Sequence, residues 1–442
     1  MRSTDFIHEL RWQDLPTPVQ NQARRCLLDT LGAAIGGRQT QLARIIHGFA
    51  ASVYAGQGAQ LWFDGHTVSP PGAALANGMV TDALDIHDGY VLTKGHAGAA
   101  LIPALLATVG LKPETNVSGQ ELLTSLVMGY EVALRAGLAL HATACDYHTS
   151  GAWNALGCAA ITARRLGLNG DATRHALGIA EYHGPRSQMM RCIDHPTMLK
   201  DGSGWGAMAG VSAGLLAGSG FTGAPALTVE AAEVADVWAD VGSNWLILDQ
   251  YFKPDAVCRW AQPAMAGALA IQQTHHLALA SIERIRVHTF HEATRLSCRR
   301  PQTTEQAQYS LPFPVAAVLV YGRLGPAELT GPALQDEQVL KLADRVELVE
   351  DQAFNARFPA ERVARVQIET GGKIMFESGE VQARWDTDLP PGDDDLREKF
   401  RWLARTTLSQ VRTADIEATV WHCAELPNAT QLVSLLASPE DK

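Results

Sequence analysis

The chain has 442 residues, and its 36 Lys and Arg against 47 Asp and Glu give it a formal charge of −11. Because this acidic chain has no run of Lys or Arg longer than a pair, nucleic acid is not an expected partner. Charged residues make up only 19% of the chain, and this low fraction, with abundant Ala and Gly, predicts closely packed helices and a homo-oligomer.

Two further features bear on the compartment. The N-terminal stretch Met1–Leu15 mixes charged and apolar residues and lacks the apolar run of a signal peptide. The seven cysteines are an odd number with no CxxC pair, so neither a disulfide framework nor a zinc ribbon is indicated. We therefore expect the reducing cytoplasm.

From Pro18 to about Met265 the pattern predicts helices almost throughout. Apolar residues recur every three or four positions in Val19–Gly37, Gly119–His141 and Thr149–Leu166. The uncharged stretch Gly202–Val229 contains eight glycines and a proline, so it predicts a tightly packed buried helix rather than a membrane span. No membrane partner is expected.

After Ala270 the pattern changes to alternating apolar and polar residues, which predicts strands. The segments concerned are Ile282–Thr289, Val346–Val349, Arg362–Glu369 and Lys373–Phe376. Gly371 and Gly372 predict a hairpin between the last two. Helical pattern returns at Asp394–Ser409 after a loop of turn-forming residues.

This order predicts a large all-helical domain interrupted by a smaller α+β domain that acts as a lid. The predicted boundaries are 1–266 for the first part of the helical domain, 267–399 for the α+β lid and 400–442 for the completion of the helical domain. The inserted segment has a normal domain length.

Common nucleotide and hydrolase motifs are absent or wrongly placed. No GxxxxGK[ST] or HExxH string occurs. The GxGxxG match at Gly218–Gly223 follows no predicted strand, and the GxSxG match at Gly210–Gly214 lies in a helical run, where Ser212 is expected to pack. We therefore expect no nucleotide cofactor.

The segment richest in chemistry is Thr81–Gly98, which contains Asp82, Asp85, His87, Asp88, Lys94 and His96. Asp82 and Asp85 share a helix face if the helix extends that far, and the glycines could then bring His96 back toward Asp85. A carboxylate beside an imidazole would fix its tautomer and raise its pKa, as a general acid or base requires. A solvated helix end, or a metal site built from Asp82, Asp85, His87, Asp88 and His96, is an alternative interpretation.

Three further polar islands interrupt the apolar pattern. One contains Tyr147 and His148, and could either line a cleft or form a surface turn. The others contribute four cations, namely Arg191, Lys200, Lys253 and Arg259. Each cation alone is typical of a solvated side chain, but together they could form a basic pocket for a small polycarboxylate.

Motifs along the whole chain resemble the MmgE/PrpD family. They are Leu28–Gly37 (LDTLGAAIGG), Thr81–Tyr90 with Lys94–Ala107 (KGHAGAALIPALLA), the His148 helix start, Lys200 with Gly204–Ala207, Lys253–Ala264, Ser310–Phe313 and Pro391–Leu396. The resemblance implies a cofactor-independent, usually dimeric enzyme with a helical domain interrupted by a lid. It also implies that Asp85, His96, His148 and Lys200 match pocket residues of the family's decarboxylases.

The resemblance further predicts the reaction. Family reactions develop carbanion character beside a carboxylate, which cations and hydrogen-bond donors must stabilise. Cys258 and Phe313 stand where the decarboxylases carry a histidine and a tyrosine, and this loss favours epimerisation, which needs no acid for a leaving group. Within the family, the chain resembles the epimerase members, and the resemblance implies that reaction.

We therefore expect epimerisation of iminodisuccinate, with 2-methylcitrate-type dehydration as the alternative. The predicted catalytic residues are Asp85, His96, Tyr147, His148 and Lys200. The predicted substrate-binding residues are Asp88, Lys94, Arg191, Lys253, Cys258, Arg259 and Phe313. No metal or other cofactor is expected, although a metal-dependent hydrolase and a non-catalytic helical scaffold stay open as alternatives.

Overall fold

The computed structural model describes residues 3–439. Residues 1–2 and 440–442 of the predicted helical domain therefore lie outside the described residues. The helices of the N-terminal part are α1 (Ser3–Glu9), α2 (Thr17–Gly37), α3 (Gln41–Val53), α4 (Pro70–Asp82), α5 (Gly98–Thr108), α6 (Gly119–Thr143), α7 (Gly151–Leu166), α8 (Gly170–His183), α9 (Met190–Asp194), α10 (Ser203–Gly218), α11 (Leu227–Glu230) and α12 (Ala235–Trp238). Two short strand pairs, β1 (Ala55–Gln60) with β2 (Thr67–Val68) and β3 (Gly89–Tyr90) with β4 (Gln250–Tyr251), complete this part.

The C-terminal part combines helices with a sheet. Its helices are α13 (Gln262–His275), α14 (His291–Thr294), α15 (Thr304–Gln308), α16 (Pro312–Tyr321), α17 (Glu337–Ala343), α18 (Gln352–Asn355), α19 (Asp393–Ala404), α20 (Gln410–Trp421) and α21 (Thr430–Ala437). Its strands are β5 (Ile282–Thr289), β6 (Val346–Glu350), β7 (Val363–Thr370) and β8 (Ile374–Gln382). They form one sheet in the order β6-β5-β7-β8.

The predicted long helices and strands are confirmed. The segment Val19–Gly37, with its helical spacing of apolar residues, lies in α2. The alternating segment Ile282–Thr289 forms β5. The two glycines predicted to turn a hairpin join β7 and β8, which pair antiparallel with Thr370 opposite Ile374. The last helix of the predicted pattern ends at Ala404, earlier than the predicted Ser409, because turns follow it.

Small residues allow the N-terminal helices to pack closely. Helix α10 crosses both α4 and α7, and a Cβ atom added to Gly204 or Gly210 would lie 2.3 or 2.4 Å from a backbone carbonyl oxygen. Gly210 of the GxSxG string is therefore a packing residue, and the string lies in helix α10 as predicted, with Ser212 half-buried. The stretch predicted as one helix over 202–229 is instead divided, with α10 ending at Gly218 and α11 beginning at Leu227.

Helix α6 is long and apolar enough to cross a membrane by length and composition alone. However, 94% of its most apolar window is buried inside the protein. It is thus the type of helix that forms the centre of a packed core.

The two boundaries predicted for the inserted domain each fall inside a helix. Residues 266 and 267 lie in α13, which packs on β7 and β8, and residues 399 and 400 lie in α19, which packs on α2. The structure is rich in helices and contains one small mixed sheet. The division into a helical domain and a lid stays a prediction.

Candidate active site

The predicted catalytic segment connects α4 to α5 and is pinned at its middle. Strand β3 in this connection pairs antiparallel with β4, with Gly89 opposite Tyr251. This pairing brings the segment next to Lys253, which follows β4 by two residues. Asp85 and Lys253, which are 168 positions apart in the sequence, therefore come into contact.

An ion pair forms the centre of the site. The Lys253 ammonium lies 2.6 Å from Asp85 Oδ1, and both side chains are buried. His96 Nε2 lies 3.6 Å from the same oxygen. Burial alone would raise the pKa of Asp85, but the charges of Lys253, His96 and Lys200 lower it well below its usual range. Asp85 is therefore a carboxylate.

His96 is held as a neutral base. Its Nδ1 lies 2.6 Å from the backbone carbonyl oxygen of Asp88, and since that oxygen can only accept, the proton sits on Nδ1 and leaves the Nε2 lone pair free. Burial, Lys253 and His87 lower the pKa of His96 well below its usual range. The expectation that Asp85 would raise this pKa is not met, because burial and Lys253 outweigh it.

A hydrogen-bonded network supports His96 from behind. Its backbone N–H donates to Ser150 Oγ at 2.9 Å, and that hydroxyl donates to Asp201. The Asp201 backbone N–H donates to Asp82 at 3.2 Å, and the His87 ring N–H donates to the other Asp82 oxygen at 3.2 Å. This network joins the end of α4 to the starts of α7 and α10.

Lys200 supplies a second ammonium. Its Nζ donates to Gln308 Oε1 and lies 4.8 Å from the centre of the Tyr309 ring. It is buried, yet among residues 3–439 it forms no ion pair with a carboxylate. It also lines a cavity of about 480 Å³, whose other walls include Thr149, Arg191, Cys192, His195 and Trp205. That volume suits a small ligand.

Backbone conformation marks the same residues. Asp85, Lys94 and Lys200 have φ angles of 50°, 54° and 51°, in the left-handed region that non-glycine residues seldom adopt. Such conformations cost free energy and cluster at functional sites. Three of the seven non-glycine residues with positive φ in the described chain were thus predicted from the sequence as site residues.

A second group of cations borders the site. The Lys94 ammonium lies 4.6 Å from the centre of the Tyr147 ring, and the Tyr147 hydroxyl donates to the Lys94 carbonyl oxygen. Arg259 pairs with Asp386 and stacks 4.5 Å from the Tyr251 ring. Burial and the charge of Asp201 raise the pKa of Tyr147 well above its usual range.

The remaining predicted residues have other surroundings. The Asp88 carboxylate accepts from the Tyr130 hydroxyl at 2.7 Å, and His148 Nδ1 lies 2.9 Å from the Asp146 carbonyl oxygen. Arg191 is exposed at the cavity wall, with Ser187 Oγ as its acceptor at 3.4 Å. Cys258 is a buried thiol close enough to Asp85 and Lys253 for their charges to act on it. Phe313 is fully buried in the C-terminal core.

Metal binding is geometrically conceivable. One ligand atom from each of Asp85, His87 and His96 lies within 4.8 Å of the others. The ammonium of Lys253, however, already lies 2.6 Å from Asp85 and provides the positive charge that a metal would provide. The fit to a metal is therefore poor, and the absence of a metal stays a prediction.

Sequence reasoning missed Gln308, Tyr309 and Tyr251, which contact Lys200 or Arg259. It also missed Arg362, whose guanidinium donates to the Val91 carbonyl oxygen of the predicted catalytic segment at 3.2 Å. Gln308 and Tyr309 directly precede the Ser310–Phe313 motif, so their position was a signal, although nothing in the pattern showed that they reach Lys200. Tyr309 supplies the site with a buried phenol close to Lys200. The phenol that the resemblance implied to be lost at Phe313 is therefore not the only one expected at the site, because Tyr309 is present.

Comparison with protein families gives two matches. The description MmgE/PrpD N-terminal domain matches residues 2–242, and MmgE/PrpD C-terminal domain matches residues 256–423. Asp85, His96 and Lys200 lie in the first match, and Gln308, Tyr309 and Arg362 in the second. The site thus draws on both.

Three relatives cover nearly the full chain. A cis-aconitate decarboxylase-like protein of Aspergillus oryzae is 23% identical over 98% of this chain and 96% of its own length. Human cis-aconitate decarboxylase is 26% identical over 98% and 93%, and 2-methylcitrate dehydratase of Salmonella typhimurium is 23% identical over 92% and 90%. These relatives are named as decarboxylases and dehydratases, and none of the three is named as an epimerase.

Proposed function

The chain belongs to the MmgE/PrpD family, and from that premise we propose that it is a cofactor-independent lyase that dehydrates a small hydroxytricarboxylate. The names of the relatives favour a lyase over the epimerase expected from the sequence. The observation that carries the choice of dehydration is the hydrogen bond of His96 Nδ1 with the Asp88 carbonyl oxygen, which leaves Nε2 as an acceptor.

Dehydration needs a base, whereas decarboxylation needs a proton donor at carbon. The low pKa of His96 and its free Nε2 lone pair mean that Nε2 carries no proton to supply at neutral pH, although it can accept one. The Cys258 thiol, whose pKa burial raises to about 12, is a weak acid. Of these two groups, His96 is therefore equipped to remove a proton from carbon, and neither is equipped to add one.

The proposed reaction proceeds in a balanced sequence. His96 Nε2 takes the proton from the carbon next to a substrate carboxylate, and the C–H electron pair forms the new double bond as the C–O bond of the adjacent carbon breaks. Lys200 donates the proton with which the hydroxyl leaves as water. Lys253 and Lys200 stabilise the negative charge that builds on the carboxylate. Transfer of the proton from His96 back to Lys200 restores the enzyme.

Epimerisation of iminodisuccinate would share the first step. It would then return a proton to the opposite face of the same carbon instead of expelling a leaving group. The residues that could serve that face are Tyr147 and His148, whose predicted catalytic roles stay predictions. We keep this reaction as one outcome of the assay.

The test offers the purified protein three substrates separately. They are 2-methylcitrate as a mixture of stereoisomers, cis-aconitate and iminodisuccinate. We expect an unsaturated tricarboxylate from 2-methylcitrate, without release of carbon dioxide and with unchanged activity in a chelator. Carbon dioxide from cis-aconitate alone would instead assign a decarboxylase, and inversion of iminodisuccinate alone would assign an epimerase.

Variants connect the activity to this site. His96→Asn should lower kcat by about 10²- to 10⁴-fold, the usual contribution of a general base. Lys200→Met should lower it as well, because the leaving group loses its proton donor. His66→Asn, at an exposed histidine hydrogen-bonded to Asp64, is the matched control and should leave kcat unchanged. Full activity in His96→Asn would remove His96 from the mechanism.

A further inference from the structure

The protein buries six Lys and Arg side chains among its described residues, and four of them have a carboxylate partner. The pairs are Arg135 with Glu131 and Asp240, Lys253 with Asp85, Arg259 with Asp386, and Lys399 with Asp29. The other two are Lys200 and Arg362. A buried cation without a counterion is costly, because burial removes its hydration and nothing replaces the opposite charge.

Arg362 is the less satisfied of these two. Arg362 is only 5% exposed, and one of its guanidinium nitrogens donates to the Val91 carbonyl oxygen at 3.2 Å. Its Nε has no hydrogen-bond partner. Since a guanidinium presents five N–H donors, most of its capacity is unused within the protein.

The position of Arg362 connects it with the active site. It lies directly before β7, and Val91, its acceptor, belongs to the segment that leads to His96. Its charge acts on Tyr147, Tyr251 and Cys258. The charges of Asp85 and Lys253 act on Cys258 as well, so Arg362 and the central ion pair both lie near the Cys258 thiol.

A second cation nearby strengthens the case for an anionic ligand. Burial and, to a smaller extent, the charge of Arg362 lower the pKa of Lys94, while the acidic Glu292 acts in the opposite direction. Arg362 also acts unfavourably on Arg259, whose own carboxylate partner is Asp386. Like charges held close together favour a ligand that brings negative charge between them.

We propose that Arg362 is a substrate-binding residue that recognises a carboxylate remote from the reacting carbon and thereby selects tricarboxylates over dicarboxylates. The proposal rests on the proposed function only in taking a polycarboxylate as the ligand. Lys200 and Lys253 serve the carboxylate and the leaving group at the reacting carbon. Arg362, with its planar fork of donors, holds another carboxylate in a two-point contact.

The experiment measures binding of unreactive ligands, so that it does not depend on the reaction. Tricarballylate has three carboxylates and no hydroxyl. Glutarate lacks its central carboxylate, and methylsuccinate lacks a terminal one. Titration calorimetry of the wild-type protein should show tighter binding of tricarballylate than of either dicarboxylate.

Arg362→Met should weaken tricarballylate binding roughly 10- to 100-fold, the range expected for hydrogen bonds to a charged group. It should leave unchanged the affinity for the dicarboxylate that lacks the carboxylate held by Arg362. Arg365→Met is the matched control, because it removes the same charge three residues further along, on β7, where Arg365 is partly exposed and lies 3.5 Å from Asp351. That variant should bind all three ligands as the wild type does.

Thermal melting separates recognition from a structural role. An arginine that holds the fold together would lower the melting temperature when removed. Since Arg362 lacks a counterion, Arg362→Met without ligand should melt within about 2 °C of the wild type or higher. Arg362→Lys should keep the charge but lose the two-point contact, and it should bind tricarballylate with intermediate affinity.

Three results would overturn the proposal. They are unchanged tricarballylate affinity in Arg362→Met, equal weakening of all three ligands, and a wild-type protein that does not bind tricarballylate. The proposed function can fail independently. If tricarballylate binding depends on Arg362 but 2-methylcitrate is not turned over, the role of Arg362 stands and the proposed function fails. If Arg362→Met turns over 2-methylcitrate as the wild type does, the proposed function stands and the role of Arg362 fails.

Discussion

Asp88 shows how a backbone group and a side chain of one residue can serve different purposes. Its carbonyl oxygen orients His96, whereas its carboxyl group is buried and accepts from Tyr130. Burial, opposed by that hydrogen bond and reinforced by the charge of Asp29, raises the pKa of Asp88 to about 6. The carboxyl group therefore ionises at a higher pH in the folded protein than in the unfolded chain.

The sign of the resulting pH dependence can be worked out. Between about pH 4 and pH 6 the unfolded chain loses the Asp88 proton while the folded protein keeps it, so raising the pH lowers the free energy of unfolding. Asp88→Asn removes this ionisation. Its stability relative to the wild type should rise from pH 4 to pH 8 by on the order of 2–3 kcal/mol.

Urea unfolding at the two pH values measures this difference. Asp388→Asn, in the exposed loop after β8, is the control and should show no such pH-dependent gain. Because His96 contacts the backbone of Asp88, Asp88→Asn should retain activity. Loss of substrate affinity in this variant would support the sequence-based prediction that the Asp88 carboxylate binds substrate.

At the level of single residues, types and approximate roles could be predicted, but partners could not. Asp85, His96, Lys200 and Lys253 stood in polar islands of an apolar chain, which is a local signal. The pairing of Lys253 with Asp85 depends on the two-residue strands β3 and β4, which are too short to leave a pattern. Arg362 began a predicted strand, so its burial without a counterion had no signal in the sequence.

At the level of elements, α19 connects the C-terminal part of the chain to the active site. Lys399 on α19 is buried, with its Nζ 2.5 Å from Asp29 on α2 and 2.7 Å from the carbonyl oxygen of Ile86. Ile86 directly follows Asp85. This pair therefore fixes both a helix–helix contact and the backbone beside the catalytic carboxylate.

Lys399→Met should be strongly destabilising, because it leaves the Asp29 carboxylate buried without a partner. The expected loss is about 3–5 kcal/mol in the free energy of unfolding. The double variant Asp29→Asn with Lys399→Met should recover most of that loss, since it removes both charges. Chemical denaturation of the three proteins measures these values.

Lys341→Met provides the comparison on another helix. Lys341 pairs with Glu337 on α17, and both side chains are about two-thirds exposed, so its loss should cost less than about 1 kcal/mol. If the double variant were as unstable as Lys399→Met alone, an unpaired charge would not be the cause. The apolar contacts of the Lys399 stem would then account for the loss.

Elements with a long regular pattern were predictable, and those defined by tertiary contact were not. Helix α2 and strand β5 have the apolar spacing of their type over many residues, and both were found where predicted. The place where one packed unit ends and another begins left no such pattern. Helices α13 and α19 continue across both predicted boundaries because they pack on the sheet and on α2.

At the scale of the whole molecule, the site combines parts that neither half of the chain could supply alone. Asp85 and His96 come from the N-terminal match, Gln308 and Arg362 come from the C-terminal match, and Lys253 lies between the two. Asp85, His96 and Lys253 are each at most 8% exposed. A lid that moves to admit the substrate to these residues stays a prediction.

The homodimer expected from the sequence stays a prediction, and an exposed helix face indicates where it would form. On α3, the side chains of Ile45, Phe49 and Val53 are 52%, 40% and 59% exposed. They are spaced four residues apart and therefore form one stripe on the helix surface. A contiguous apolar stripe on a protein surface is typical of a contact with another protein.

We expect this stripe to lie in the dimer interface. Sedimentation velocity should give the wild type twice the chain mass of 47.5 kDa, and Phe49→Asp should shift it toward the monomer, because a carboxylate buried at an interface is costly. Val411→Asp, at a residue 72% exposed on α20, is the control and should leave the dimer intact. A Phe49→Asp protein that is still dimeric would show that α3 lies outside the interface. A monomeric wild type would show instead that the apolar, Gly-rich composition serves only the close packing of helices such as α4, α7 and α10 within one chain.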